Sequence, residues 1–167
     1  MLFTAATTMP KSLNKPKPTL LETITRAHPE ITFLPGARFA WNPKTSTIHY
    51  HLTPQPTHHQ YFKLLHELGH ALLDHQDFES DMQLLQMEAA AWQKATELGK
   101  KYELTIDEDY IQDCLDSYRD WLHLRSTCPT CFVRCLQQDR HTYQCHNCGT
   151  EWHVTNSRLC RPYRLQK

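Results

Sequence analysis

With 167 residues, 40% of them hydrophobic, the chain suits one domain of ordinary size with a modest core, plus a small module. No stretch approaches the 18 or so apolar residues needed for a membrane span. Formal charge cancels overall but not locally: residues 1–17 carry three Lys and no acid, residues 18–124 carry 8 basic and 16 acidic residues, and residues 125–167 carry 7 basic and 2 acidic. An acidic body with a basic end suggests contact with nucleic acid through that end.

Residues 1–17 read as a flexible lead with Pro10, Pro16 and Lys11, Lys15 and Lys17. Lacking a charged start followed by a full apolar core, they are not read as a signal peptide. Thr19 to His28 suits a short helix stopped near Pro29. Ile31–Leu34 and Phe39–Trp41 read as strands, Asn42–Thr45 as a turn and Thr47–His51 as the returning strand, so a small antiparallel sheet is expected. His49 and His51 alternate with Ile48, Tyr50 and Leu52, which puts both on an exposed face.

His66-Glu67-Leu68-Gly69-His70 follows, an H-E-x-x-H pattern. Residues four apart share a helix face, so both histidines can reach one metal ion, and Glu67 sits beside them as a base for water. With 12 His in the chain, roughly one sequence in twenty of this composition would carry the pattern by accident. The context argues against accident. Tyr61, Leu64, Leu65, Leu68, Leu72 and Leu73 recur at helical spacing, and Thr57-His58-His59-Gln60 fits a capping box. Two histidines and a glutamate on an apolar helix are costly without a metal or hydrogen-bonding partners.

A catalytic zinc takes a third protein ligand. The extended H-E-x-x-H-x-x-G-x-x-H pattern fails, because Leu73 and Gln76 stand where its Gly and third His belong. His75 falls about 500° around the helix from His70, turned away unless the helix has ended. Glu88 is the better choice. It lies beside the apolar stripe Met82, Leu84, Leu85, Ala89, Trp92, Ala95 and Leu98 of a second helix, from about Asp81 to Tyr102, capped by Ser80-Asp81-Met82-Gln83. Ala89-Ala90-Ala91 would let the first helix approach closely. Glu79 and Asp81 read as charges at the helix start.

The run Leu65-His66-Glu67-Leu68-Gly69-His70-Ala71-Leu72-Leu73, followed by Met87-Glu88-Ala89 and Trp92, resembles the ImmA/IrrE family of zinc metallopeptidases across roughly residues 30 to 100. The resemblance implies an α+β, zincin-like core of a small sheet with three to four helices. It implies His66, His70 and Glu88 as ligands of a catalytic zinc and Glu67 as general base. Two departures stand out: Ala90 replaces the usual Asn after Glu-Ala, and the C-terminal part differs. Members of that family act on DNA-bound repressors, an implication that rests on fold-level analogy. A SprT-like protease, which also pairs a zincin core with a zinc ribbon, is a related reading.

A third helix is expected from about Asp107 to Arg125, with Thr105-Ile106-Asp107-Glu108 as capping box and Cys114 as a small buried core residue. Tyr118, Arg119 and His123 on it are candidates to reach the cleft. Beyond it, Cys128-Pro129-Thr130-Cys131 and Cys145-His146-Asn147-Cys148 form two C-x-x-C knuckles, the pattern of a structural zinc held by Cys128, Cys131, Cys145 and Cys148. Gly149 suits a left-handed turn, and short ribbon strands flank the second knuckle. Cys135 and Cys160 are spare thiols. The expected layout is a lead at 1–17, a metallopeptidase domain at 18–125, a zinc ribbon at 126–156 and a basic tail at 157–167.

These readings converge on a cytoplasmic zinc metallopeptidase with one catalytic and one structural zinc, acting on a protein or peptide. Contact with nucleic acid through Arg134, Arg140, Arg158, Arg161, Arg164 and Lys167 is a further expectation. The rival is a nucleic-acid- or protein-binding regulator that uses the ribbon and keeps the core as a scaffold.

Overall fold

The computed structural model describes residues 18–155 and the strand at 165–166. Its first helix, α1 (Leu20–Ala27), starts where Thr19 and Glu22 each bond the other's backbone amide. Only Ile24 of this helix is fully inside the core. Three short strands follow: β1 (Thr32–Pro35), β2 (Ala40–Asn42) and β3 (Thr47–Tyr50). Their order is β1-β3-β2. β2 pairs antiparallel with β3, as expected, but β1 pairs parallel with it, so the sheet is mixed. The linker after β1 carries the chain across to the far edge, and β3 returns between the two earlier strands. Gly36 permits the crossing: its amide bonds the Tyr50 carbonyl, and a Cβ there would press on the Cβ of His49 at 3.2 Å.

Helix α2 (His58–Leu72) begins at a complete capping box between Thr57 and Gln60. Its buried face combines Phe62, Leu64, Leu65 and Leu68 with His66, Gly69 and His70. Helix α3 (Asp81–Lys101) packs along it. Gly69 permits the close approach, since a Cβ there would lie 2.6 Å from the Ala91 carbonyl oxygen. The buried stripe of α3 differs from the expected one: Met82 and Ala89 face outward, while Glu88 sits inside the stripe with Leu84, Ala91, Trp92, Ala95 and Leu98. At its start, Ser80 caps the amide of Gln83, but Gln83 reaches back to Glu79 rather than closing the box on Ser80. Helix α4 (Glu108–Ser126) is capped by Asp107 accepting from the Asp109 amide, two residues later than the expected Thr105. Cys114 is partly exposed rather than buried.

Strands β4 (Thr142–Gln144), β5 (Glu151–His153) and β6 (Leu165–Gln166) form a second sheet in that order. Trp152 and Tyr143 stack, with ring centroids 5.5 Å apart, in a small core that also contains Cys128, Cys145 and Val154. This ribbon is tied to the helices by a buried polar knot. Arg125, fully buried, donates from Nε to Asp81 at 2.7 Å, and the Tyr143 hydroxyl donates to the same carboxylate at 2.5 Å. Arg125 also donates to the Thr155 carbonyl, and its own carbonyl accepts from the Trp152 indole at 2.9 Å. Asp81 is the helix-start charge expected of it and, beyond that, a buried ion-pair partner of Arg125. No helix among the described residues is long and apolar enough to cross a membrane. The expected lead at 1–17, Cys160 and most of the basic tail lie outside the described residues.

Candidate active site

α2 and α3 bring His66, His70 and Glu88 together, all buried. Their ligand atoms lie within 4.8 Å of one another. His66 Nε2 stands 3.1 Å from His70 Nε2 and 3.1 Å from Glu88 Oε2, and His70 Nε2 is 3.6 Å from Glu88 Oε1. Two nitrogens bound tetrahedrally to zinc at about 2.0–2.1 Å would be about 3.3 Å apart. Spacing and donor set therefore fit a zinc ion. Burial pushes the Glu88 carboxyl up, but hydrogen bonds and charge from His66 and His70 outweigh it and hold the group well below the usual range. A group kept as a carboxylate at this position is what a cation requires.

The rings are held from behind. Trp92 lies against His66 with centroids 4.2 Å apart. His75 Nδ1 is 2.9 Å from His70 Nδ1. The helix has ended before His75, so this residue is not turned away: α2 stops at Leu72, Asp74 takes a left-handed φ of 51°, and the chain doubles back. Burial and the neighbouring His70 lower the His75 pKa, favouring a neutral ring that accepts from His70. His75 is a neighbour of the three-residue cluster and not a member of it.

Glu67 points into the cleft, its Oε2 accepting from the Trp41 backbone amide at 2.7 Å. Burial raises its pKa, against the opposing pull of His66 and His70. Trp41 also donates its indole N–H to the His75 carbonyl at 2.9 Å. One residue of edge strand β2 thus fixes both Glu67 and the turn carrying His75. Sequence reasoning missed this role, since a backbone amide acting across 26 positions leaves no mark in residue type.

The cleft has two lobes, of about 720 and 650 Å³. They meet at Arg38, Phe39, His66, Glu67, Glu88 and Tyr118, which line both. Of the three α4 candidates, Tyr118 alone borders these lobes. Arg119 is engaged with Asp116 and Gln112, and His123 faces Arg134. His51, on the exposed face as expected, bonds the Gly36 carbonyl and lines the second lobe, whereas His49 is half-buried.

The four knuckle cysteines form a second cluster. Sγ atoms of Cys128 and Cys148 are 3.6 Å apart and those of Cys131 and Cys145 3.4 Å, near the roughly 3.8 Å expected for tetrahedral zinc with bonds of about 2.3 Å. Gly149 takes the expected left-handed φ, 76°. His146 is exposed and outside the cluster, and Cys135 is buried nearby as a thiol.

A helix pair presenting two histidines and a glutamate, beside the edge strand of a small sheet, defines a zincin-like metallopeptidase fold. The family model described as the IrrE N-terminal-like domain, a peptidase family, matches residues 34–154. That span is most of the chain and includes both clusters, so the chain belongs to this metallopeptidase family. The match runs well past residue 100, where the sequence resemblance stopped. Comparison with curated proteins and with solved structures gives no match.

Proposed function

We propose that the chain is a zinc-dependent metallopeptidase that hydrolyses a peptide bond in a protein substrate, with a DNA-bound regulator as one such substrate. The observation that carries this reading is Glu67 beside the His66, His70 and Glu88 cluster, at the junction of the two lobes. Zinc, held by those three residues, would supply Lewis acidity to a water and to the scissile carbonyl. Glu67 takes the proton of the attacking water and delivers it to the leaving amine. The Trp41 amide keeps the Glu67 carboxylate turned toward the cleft, and His75 accepts from His70 Nδ1 so that Nε2 faces inward. A second zinc at Cys128, Cys131, Cys145 and Cys148 is structural. Thiolates in this pattern favour a reducing, cytoplasmic setting.

A Glu67→Gln variant tests the mechanism. Hydrolysis should be lost while two zinc ions per chain are retained, and His66→Ala with His70→Ala should lower that count to one. Cleavage by Glu67→Gln at the parent rate refutes the assignment. The rival binding role for the basic ribbon draws little support from Arg140, which is engaged by Asp77 at 2.8 Å.

A further inference from the structure

Bases are scarce in the body of the chain, yet they gather at the cleft. Between residues 18 and 124 acids outnumber bases 16 to 8. Three of those eight bases, Arg38, Lys44 and Lys63, line the two lobes. The carboxylates lining them are Glu67 and Glu88 at the site itself and Asp77, which is already paired with Arg140. The lobe bordered by Lys63 holds no other acid. It contains Arg38, Lys63, His51 and His59. Elsewhere on the body Lys94 pairs with Glu97 and Arg119 with Asp116, whereas among the described residues no ion pair holds the side chain of Arg38 or Lys63.

Their placement is fixed by the fold. Arg38 belongs to the linker between β1 and β2, which is anchored at Gly36 by the Tyr50 carbonyl and by His51 Nδ1 at 3.1 Å. Lys63 is on α2, one turn before His66 and on the exposed side. His59, one further turn back, is stacked on Tyr110 with centroids 4.6 Å apart. Two free cations thus flank one path leading from the metal ligands, in a protein whose remaining body is net acidic.

From this we infer that the lobe lined by Arg38 and Lys63 is a specificity subsite for a carboxylate side chain, Asp or Glu, of a peptide lying beside the reacting bond. The inference rests on the peptidase reading for the position of that bond, but the subsite binds by charge and does not require turnover. Opposite charge at this lobe lowers the free energy of the acidic peptide, and the acidic body around it disfavours the same peptide elsewhere.

The test is equilibrium binding to the zinc-loaded, full-length Glu67→Gln protein. The probes are peptides acetylated and amidated at their ends and identical but for Asp, Asn or Lys at one central position. The Asp peptide should bind about tenfold more tightly than the Asn peptide at low ionic strength, with the ratio shrinking in 1 M salt. The ratio should fall to near one in an Arg38→Gln, Lys63→Gln variant, and Lys63→Glu should favour the Lys peptide. Both sites are exposed, and an unchanged circular dichroism spectrum checks the fold. Equal binding of Asp and Asn peptides overturns the inference. So does a preference that survives in the double variant, which would place the carboxylate on the zinc. Tighter binding of a short oligonucleotide to the same two cations overturns it as well. If the parent protein hydrolyses nothing, the peptidase reading fails while these binding ratios still decide the subsite.

Discussion

Gly69→Ala adds one methyl group at a close contact between the two helices that carry His66, His70 and Glu88. The new Cβ would meet the Ala91 carbonyl oxygen at 2.6 Å and the Ala91 Cα and carbonyl carbon at 3.3 Å. These are backbone atoms, so no rotamer change relieves the clash. An ordinary contact of about 3.4 Å requires the helices to part by about 0.8 Å. Overpacking of this kind costs about 1–3 kcal/mol, and Ala in place of Gly inside a helix returns about 1 kcal/mol. The net loss is then about 0–2 kcal/mol, a fall in Tm of at most about 8 °C for a domain of this size. The three-residue cluster suffers more than the fold. Glu88 lies one helical turn from Ala91, and a shift of about 0.8 Å exceeds the roughly 0.5 Å within which such ligands must be held. Zinc affinity at His66, His70 and Glu88 should drop about 10–100-fold by chelator competition. Zinc bound by the four cysteines would serve as an internal control and should not change. A Gly69→Ala protein that keeps parental affinity at the three-residue cluster would show that the close approach does not position Glu88.

Arg125→Met leaves the Asp81 carboxylate buried without its countercharge, and should cost about 3–5 kcal/mol in denaturant unfolding; a loss below about 1 kcal/mol contradicts a structural role for the Arg125–Asp81 pair. His75→Ala removes the neighbour behind His70 and should weaken zinc binding at the three-residue cluster about 10–100-fold while leaving binding at the four cysteines unchanged; equal affinity would reduce His75 to a bystander. For Asp77 the sign follows from its partners. The Arg140 side chain first, then the Phe78 amide, hold its pKa below the ordinary 3.8, so its contribution is complete above that value and disappears as pH falls through the depressed one. The stability gap between parent and Asp77→Asn should be flat from about pH 5 to 8 and close in stronger acid, and a gap that widens in acid has the wrong sign.

The His66, His70 and Glu88 cluster was legible because its signal is local. His66 and His70 are related by one helical repeat, and Glu88 is marked by the apolar residues around it. The cysteine knuckles are equally local, with Gly149 supplying a conformation that other residues adopt at a cost. What the sequence withheld depends on partners far along the chain. Asp81 looks like any acid at a helix start until Arg125, 44 positions away, is seen to bury with it. The parallel pairing of β1 with β3 is invisible because strand pattern reports burial and not direction. The placing of His75 turned on where α2 ends, and no glycine marks that end; Asp74 supplies the left-handed turn, a conformation that Asp tolerates better than most residues.

Helix α3 shows how Glu88 is held against His66 and His70 of another helix. At 21 residues it is about 30 Å long, and it is fixed at three levels. Its first residue, Asp81, is gripped by Arg125 and Tyr143. Its middle lies against Gly69, and near its far end Gly99 would bring a Cβ within 2.6 Å of the Leu104 carbonyl oxygen. Glu88 sits between the first two restraints, about 10 Å along the axis from Asp81. Tyr143 is positioned by the ribbon, whose core contains two of the four clustered cysteines. The ribbon therefore buttresses the helix that carries Glu88, although its own cysteines form a separate cluster. A freely hinged appendage would leave Arg125 and Asp81 open to water. Their burial, with Trp152 bonded to the Arg125 carbonyl, makes ribbon and helices one packed unit over residues 18–155.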